Sequence, residues 1–172
     1  MSEKLFFVFD VESVGLYGEG YAYGFVVVNE NGVELDAGRC SCNPNCADGD
    51  SGGRAWVATN CPEIYQSEPT PKAVRCRFSA EWEEWREQGA IMVADCPWPV
   101  EARFLADCVR DLDMPGPYPL IDVASVVLAA GGDPTAEFSR NKNELPKHDP
   151  LCDARQSARV LIEHLIRLRT DA

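Results

Sequence analysis

Near its N-terminus the chain has an entirely apolar run, Leu5 to Phe9, which is followed by alternating acidic and apolar positions at Asp10-Val11-Glu12. A run this short and this apolar is typical of a strand buried on both faces in the middle of a sheet. Side chains alternate along a strand, so the two acids would project from one face. The pattern predicts a first strand that includes both acids. The alternative is a strand that ends before them and leaves both in a solvated turn.

Patterning along the rest of the chain indicates alternating strands and helices, which is typical of an α/β fold. Asn31-Gly32 is a favoured hairpin turn, and Ser79 is a candidate N-cap for a helix that stops at Gly89. The predicted strands cover about residues 5–13, 21–28, 33–42, 90–94 and 118–123. The predicted helices are a short one near 55–60, one over 79–88, one opened by Pro99, one ending near 130 and one from 150 onwards.

The longest helical pattern begins at Pro150. Asp149 is a good N-cap, and proline suits the first helical position. His148 therefore stands just outside the helix, and Asp153 lies in its first turns. Apolar residues recur along one face, at Leu151, Ala154, Ala158, Leu161, Ile162, Leu165 and Leu168.

Length and charge narrow the classes of function. The 172 residues are enough for one domain, and we expect residues 1–172 to form a single domain with an irregular, cysteine-containing insertion at about 43–78. The net charge of −12 argues against nonspecific binding of long duplexes, which needs a broad cationic surface. We find no apolar run that could span a bilayer and no signal peptide, so a cytoplasmic protein is expected.

Four cysteines in or just before the predicted insertion could hold zinc: Cys40, Cys42, Cys46 and Cys61. Their spacing lacks the paired C-x2-C pattern of structural zinc sites. Disulfides are disfavoured in a cytosolic chain. Free thiols are therefore the favoured interpretation.

The strongest candidate chemistry lies at Asp10 and Glu12. Two carboxylates on one apolar face repel each other and are poorly solvated, so at least one would take up a proton in the absence of a cation. A divalent metal ion removes this penalty, because hard cations prefer oxygen ligands. The pair is therefore a candidate metal site.

The two ends of the chain together resemble the DEDDh family of 3′–5′ exonucleases. That family opens with a D-x-E strand, often followed by a small polar residue and Gly-Leu, and residues 10–16 here read DVESVGL. It closes with a histidine, four residues and an aspartate at a helix start, which matches His148 and Asp153. Each motif alone is weak, but their joint occurrence with compatible secondary structure is fairly specific.

The resemblance places another metal-binding carboxylate in the middle of the chain, in a motif containing Asp-x-x-Phe-Leu. Residues 101–105 read EARFL, so Glu101 matches with glutamate in place of aspartate, as in a DEED-type variant of the superfamily. Asp95, at the end of the fourth predicted strand, is the alternative. Glu101 is favoured because it would head the core-facing stripe of the helix opened by Pro99.

The resemblance implies a ribonuclease H-like fold, with a mixed five-stranded sheet, the first strand at its centre and helices on both faces. It implies two divalent ions, Mg²⁺ or Mn²⁺, held by Asp10, Glu12, Glu101 and Asp153, with His148 as the general base. The expected reaction is hydrolysis of single-stranded or short nucleic acid from the 3′ end, which releases nucleoside 5′-monophosphates.

Five further residues are candidate substrate contacts: Leu16, Tyr17, Trp98, Arg140 and Lys147. The first two follow the D-x-E motif, where similar enzymes wedge residues against the terminal base, and Trp98 could stack on a base. Ordinary packing and solvated surface are the alternatives for each. RNA and DNA are both compatible with the sequence, and two other classes stay open: an internally acting nuclease on the same fold, and a non-catalytic binding module that has kept the fold.

Overall fold

The structure is a computed structural model that describes residues 3–170. Its sheet has the strand order β3-β2-β1-β4-β5, with β2 antiparallel and β4 parallel to β1. The strands are β1 (Leu5–Ser13), β2 (Gly20–Asn29), β3 (Glu34–Ser41), β4 (Ile91–Ala94) and β5 (Leu120–Asp122). The prediction of a mixed five-stranded sheet with the first strand at its centre is confirmed.

Helices cover both faces of this sheet. They are α1 (Ser51–Asn60), α2 (Pro71–Glu87), α3 (Val100–Leu112), α4 (Val123–Ala129) and α5 (Pro150–Thr170), with short 3₁₀ turns at Pro44–Cys46 and Lys142–Glu144. Phe7 and Phe9 of β1 pack on one face against Phe78 of α2. Val8 points to the other face, into a core shared with α4 and α5. None of the helices within residues 3–170 is long and apolar enough to cross a membrane.

α2 begins at Pro71, so the prediction that Ser79 caps it is wrong. Thr70 is the N-cap: its hydroxyl oxygen accepts a hydrogen bond from the backbone N–H of Ala73 at 3.2 Å. A proline at the first helical position loses no hydrogen bond there. Ser79 lies inside the helix, where its hydroxyl donates to the carbonyl oxygen of Arg75.

Residues 43–78 contain more regular structure than the sequence pattern indicates. α1 already begins at Ser51, because Asp50 caps it by accepting from the backbone N–H of Gly53 at 2.6 Å. The first two turns of α2 also fall in this segment. The segment predicted to be irregular is therefore largely helical, and α1 lies beside the end of β1.

Candidate active site

Glu101 fills the space beside the end of β1. Pairing between β1 and β4 stops at Val8, so the following residues of β1 have no strand on that side. Glu101, in the first turn of α3, accepts a hydrogen bond on Oε1 from the backbone N–H of Val11 at 3.2 Å. Its side chain is buried, whereas Asp95, the alternative, is exposed. The structure therefore brings Glu101 to the residue between the two acids of β1.

The N-terminus of α5 packs on β2 at Gly24, which lies opposite Asp10 in the β1–β2 pairing. No side chain fits there, because an added Cβ would lie 2.2 Å from the backbone nitrogen of Leu151. Asp149 caps the helix as predicted, accepting on Oδ1 from the N–H of Leu151 at 3.1 Å. This close packing carries Asp153 to the face of the sheet from which the acids of β1 project.

His148 lies just before α5 in a left-handed backbone conformation, with φ of 61°. Its backbone N–H donates to Oδ2 of Asp153 at 3.1 Å, which ties the loop to the first turn of the helix. Its Nδ1 lies 3.9 Å from Oε1 of Glu12. Glu12, His148 and Asp153 each offer a ligand atom within 4.8 Å of the other two, so they can share one divalent cation.

Three carboxyl groups of this site, those of Asp10, Glu12 and Glu101, have raised pKa values. Burial raises the pKa of Asp10 well above its ordinary value, and the charges of Glu101, Glu12 and Asp153 raise it further. Burial, followed by the charge of Asp153, raises the pKa of Glu12 to about 8. Burial raises the pKa of Glu101 to about 7. A divalent cation would relieve both the repulsion and the cost of burial, so this set of oxygen donors fits Mg²⁺ or Mn²⁺.

The two predicted phosphate contacts differ in their surroundings. The Arg140 guanidinium pairs with Asp153 and donates to the carbonyl oxygen of Glu144 at 2.9 Å. Lys147 pairs with Glu137 at the surface instead. Arg140 thus touches a carboxylate of the site, whereas the ion pair of Lys147 lies outside it.

The aromatic and apolar residues predicted to contact substrate are exposed. Leu16 lines a pocket of about 440 Å³ together with Glu12 and Trp56. Tyr17 lines a neighbouring depression together with Leu16. Trp98, in the loop between β4 and α3, is 76% exposed. An open apolar surface therefore adjoins the acidic site.

Two residues that contact the site are absent from the sequence prediction. The ring of Trp56 in α1 packs edge-to-face on the imidazole of His148, with ring centroids 4.9 Å apart. Cys61, which caps the end of α1, donates from its thiol to Oε2 of Glu12 at 3.5 Å. The sequence signal for Trp56 is a lone tryptophan in a short predicted helix, and the sequence indicates Cys61 only as a possible zinc ligand.

The cysteines considered for zinc lie in different surroundings. Cys40 and Cys42 are buried in the core, and Cys46 is exposed on a 3₁₀ turn. Within residues 3–170, no three of the four sulfurs come within ligand distance of one another. Absence of zinc stays a prediction for elemental analysis of the purified protein.

A second group of potential ligands consists of Asp95, Cys96 and Asp122. Asp122 is already engaged as the N-cap of α4, where its Oδ1 accepts from the backbone N–H of Ala124 at 3.1 Å. The same oxygen accepts from the N–H of Cys96 at 3.1 Å. This group therefore has a structural explanation in the turn after β4.

Solved structures of exonuclease I share the fold of this chain. A product-bound exonuclease I superposes with a TM-score of 0.61 at 10% identity, over 98% of this chain and 44% of the other. Exonuclease I from Methylocaldum szegediense gives a TM-score of 0.60 at 11% identity, over 98% of this chain and 41% of the other. E. coli exonuclease I in complex with a 5cy-dT13 oligonucleotide gives a TM-score of 0.57 at 12% identity, over 99% of this chain and 41% of the other.

These likenesses establish the architecture. The chain spans less than half the length of each of these structures. No protein-family model matches the sequence, and no curated protein matches it. The chain therefore has the ribonuclease H-like α/β fold found in exonuclease I.

Proposed function

We propose that this protein is a metal-dependent 3′–5′ exonuclease of the DEDDh type, acting on single-stranded or short nucleic acid. The observation that carries the proposal is the convergence of Asp10, Glu12, Glu101 and Asp153 with His148 beside them. Buried carboxyl groups with strongly raised pKa values in a cleft are typical of functional sites. The exonuclease I fold supports the same reaction class.

The four carboxylates are the proposed ligands of two Mg²⁺ or Mn²⁺ ions. Bound ions of this kind act as Lewis acids on phosphoryl oxygens and lower the pKa of water. Glu101 is anchored by Val11 N–H, and Asp153 is anchored by His148 N–H. Their oxygens are thus held in place before any ion arrives.

His148 is the proposed general base. Its Nδ1 lies 3.9 Å from Oε1 of Glu12, and in this proposal the imidazole accepts the proton of the attacking water. Attack on the last phosphodiester expels the 3′ oxygen of the preceding nucleotide, so the product is a nucleoside 5′-monophosphate. The backbone of His148 is in a conformation that costs energy for a non-glycine residue, and the bond to Asp153 stabilises it.

The protein surface around the proposed site is better suited to the end of a single nucleic-acid strand than to a long duplex. The surface is acidic overall, with a net charge of −12, so it would repel an extended phosphate backbone. The exposed Leu16, Tyr17 and Trp98 offer apolar contacts to unstacked bases near the site. One of the structures with this fold was solved with an oligonucleotide.

The test is incubation of the protein with 5′-labelled and 3′-labelled single-stranded RNA and DNA, with Mn²⁺, Mg²⁺ or a chelator. We expect 5′-labelled strands to shorten progressively and 3′-labelled strands to release labelled mononucleotide, only with metal. Asp10→Asn is the matched inactive control, since it is nearly isosteric. Internal cleavage products would favour the internally acting nuclease. Metal-independent release, or none on any strand, would exclude the proposal.

A further inference from the structure

Helix α1 contacts both partners of the Glu12–His148 pair. Trp56 packs its indole edge-to-face on the imidazole of His148, at 78° between the ring planes. Cys61, directly after the last turn of α1, donates its thiol hydrogen to Oε2 of Glu12. The opposite oxygen of the same carboxylate, Oε1, is the one that faces His148. One short helix therefore supports the base and the acid together.

α1 is fixed tightly to the end of β1. Its Gly53 lies against the chain just after the strand, and an added Cβ would lie 2.7 Å from the carbonyl oxygen of Val14. Val57, one turn further along, is buried in the core. The thiol of Cys61 also interacts with the hydroxyl of Tyr21, a buried residue of β2, and both residues line the same pocket. Motion of α1 relative to Glu12 is thus restrained at both ends of the helix.

Both contacts are directional. A thiol hydrogen bond to one oxygen of a carboxylate leaves the other oxygen free, so the bond from Cys61 to Oε2 orients the Glu12 carboxylate with Oε1 toward His148. His148 has a partly exposed side chain, and its ring has no other aromatic neighbour within residues 3–170. The edge-to-face contact with the indole of Trp56 favours one orientation of the imidazole.

We propose that α1 is a positioning element of the active site, in which Trp56 orients His148 and Cys61, backed by Tyr21, orients Glu12. The proposal rests on the proposed function for its catalytic consequence, but the positioning itself is a property of the free protein. Residues that hold metal ligands in this way commonly affect metal affinity or activity by about 10- to 100-fold.

The first test needs no metal and no substrate. The chain has two histidines, so NMR resonances of His148 can be assigned with a His148→Asn reference. Trp56→Ala should remove the ring-current displacement of the His148 ring protons, and Trp56→Phe should keep part of it. At one fixed pH, Cys61→Ala should shift the side-chain carboxyl carbon of Glu12, and Cys61→Ser should restore most of the original value, because serine also donates.

The second test measures function with the same variants. Isothermal titration with Mn²⁺ alone should show affinity about 10- to 100-fold weaker in Cys61→Ala and nearly restored in Cys61→Ser. Trp56→Ala should lower kcat by about 10-fold or more with KM within a few-fold, because it acts through the base. Cys46→Ala and Thr59→Ala, an exposed thiol and an exposed residue of α1, should leave both quantities unchanged.

The outcomes separate this inference from the proposed function. Unchanged His148 resonances in Trp56→Ala, or an unchanged Glu12 carboxyl resonance in Cys61→Ala, would overturn the positioning role whatever the activity. A rise in KM alone for Trp56→Ala would also overturn it, and would make Trp56 a wall of the substrate pocket. Failure of the unmodified protein to bind Mn²⁺ or release nucleotides would overturn the proposed function, while the expected NMR changes would still support positioning by α1.

Discussion

Glu12 and Glu144 are both almost fully buried, with 7% and 2% of their surface exposed, yet their carboxyl groups have opposite pKa shifts. Burial alone raises the pKa of Glu144, but hydrogen bonds from Arg159 and Asn141 outweigh it and hold the pKa below its ordinary value. Arg159 donates to Oε1 at 2.7 Å, and the N–H of Asn141 donates to Oε2 at 2.8 Å. No such cation meets Glu12 within residues 3–170, apart from the imidazole of His148 if it is protonated.

The difference distinguishes a buried carboxylate whose charge is balanced within the protein from one whose charge is not. Glu144 fixes the loop before α5 to the helix, and its charge is balanced within the protein. Glu12 and Glu101 are buried and Asp10 is partly buried, at a cost that the described residues do not balance. A protein retains such a group when a ligand balances it, and the proposed metal ions are that ligand.

The largest expected effect concerns the acids of β1. Asp10→Asn and Glu12→Gln should each lower the rate of nucleotide release by about 10³-fold or more, because a bound metal ion stabilises the transition state by several kcal/mol. The fold should survive and be as stable as before or more so, since a repelling charge is lost. Single-turnover assays and thermal melts measure both quantities. Glu84→Gln, an exposed acid of α2, is the control. Undiminished nucleotide release in either variant would exclude the two-metal hypothesis.

The second largest expected effect concerns His148, the proposed general base. His148→Ala should lower turnover by about 10²–10⁴-fold, the usual contribution of a positioned base. Single-turnover assays with saturating Mn²⁺ measure this loss. Titration calorimetry should show normal Mn²⁺ affinity. Because His148 also lies within ligand distance of Glu12 and Asp153, loss of Mn²⁺ binding would make it a ligand instead.

The third prediction decides between Glu101 and Asp95. Glu101→Gln keeps an oxygen for the Val11 N–H but loses the charge, so Mn²⁺ affinity should fall by at least about 10-fold. Asp95→Asn should change it less, because Asp95 is exposed and faces Asp122. Calorimetry on the two variants gives the comparison directly. The reverse order of effects would show that the middle motif is misaligned.

Sequence patterning predicts the parts of the molecule whose signals are local. β1 is an apolar run, and the start of α5 is a proline preceded by a capping aspartate, so both follow from neighbouring residues. The caps of α1 and α2 are also local, but Ser79 competes with the Thr70-Pro71 pair as a start signal. The helix begins at the Thr70-Pro71 pair because this pair combines a capping hydroxyl with a proline at the first helical position.

The supporting contacts of the site depend on distant residues instead. Trp56 meets His148, and Cys61 meets Glu12, only because Gly53 lets α1 pack against the chain after β1. Nothing in the spacing of these residues indicates the contacts. The opposite shifts of Glu12 and Glu144 are equally invisible in sequence, since each depends on which side chains the fold places around a buried carboxyl group.

The pH dependence of stability should reveal the unbalanced acids. The pKa values of Glu12 and Glu101 lie at about 8 and about 7 in the folded protein, above their ordinary values. Between about pH 5 and 8 the folded state therefore holds protons that the unfolded state has released, and stability falls as pH rises. With chelator present, denaturant unfolding should show a loss of several kcal/mol of stability across this pH range. Saturating Mn²⁺ should remove the loss, and a flat metal-free profile would show that these acids are balanced after all.

The smallest effect completes the comparison of the two buried glutamates. At pH 8 without metal, Glu144→Gln should lower the free energy of unfolding by about 2 kcal/mol, because it leaves Arg159 without its charged partner. Glu12→Gln, the same change at similar burial, should raise it, because it removes a charge that nothing balances. Denaturant melts of both variants, repeated with Mn²⁺, measure the contrast. Mn²⁺ should stabilise Glu144→Gln and the unmodified protein alike, and should do so much less for Glu12→Gln. If both substitutions lower stability equally, the two carboxylates play the same structural role.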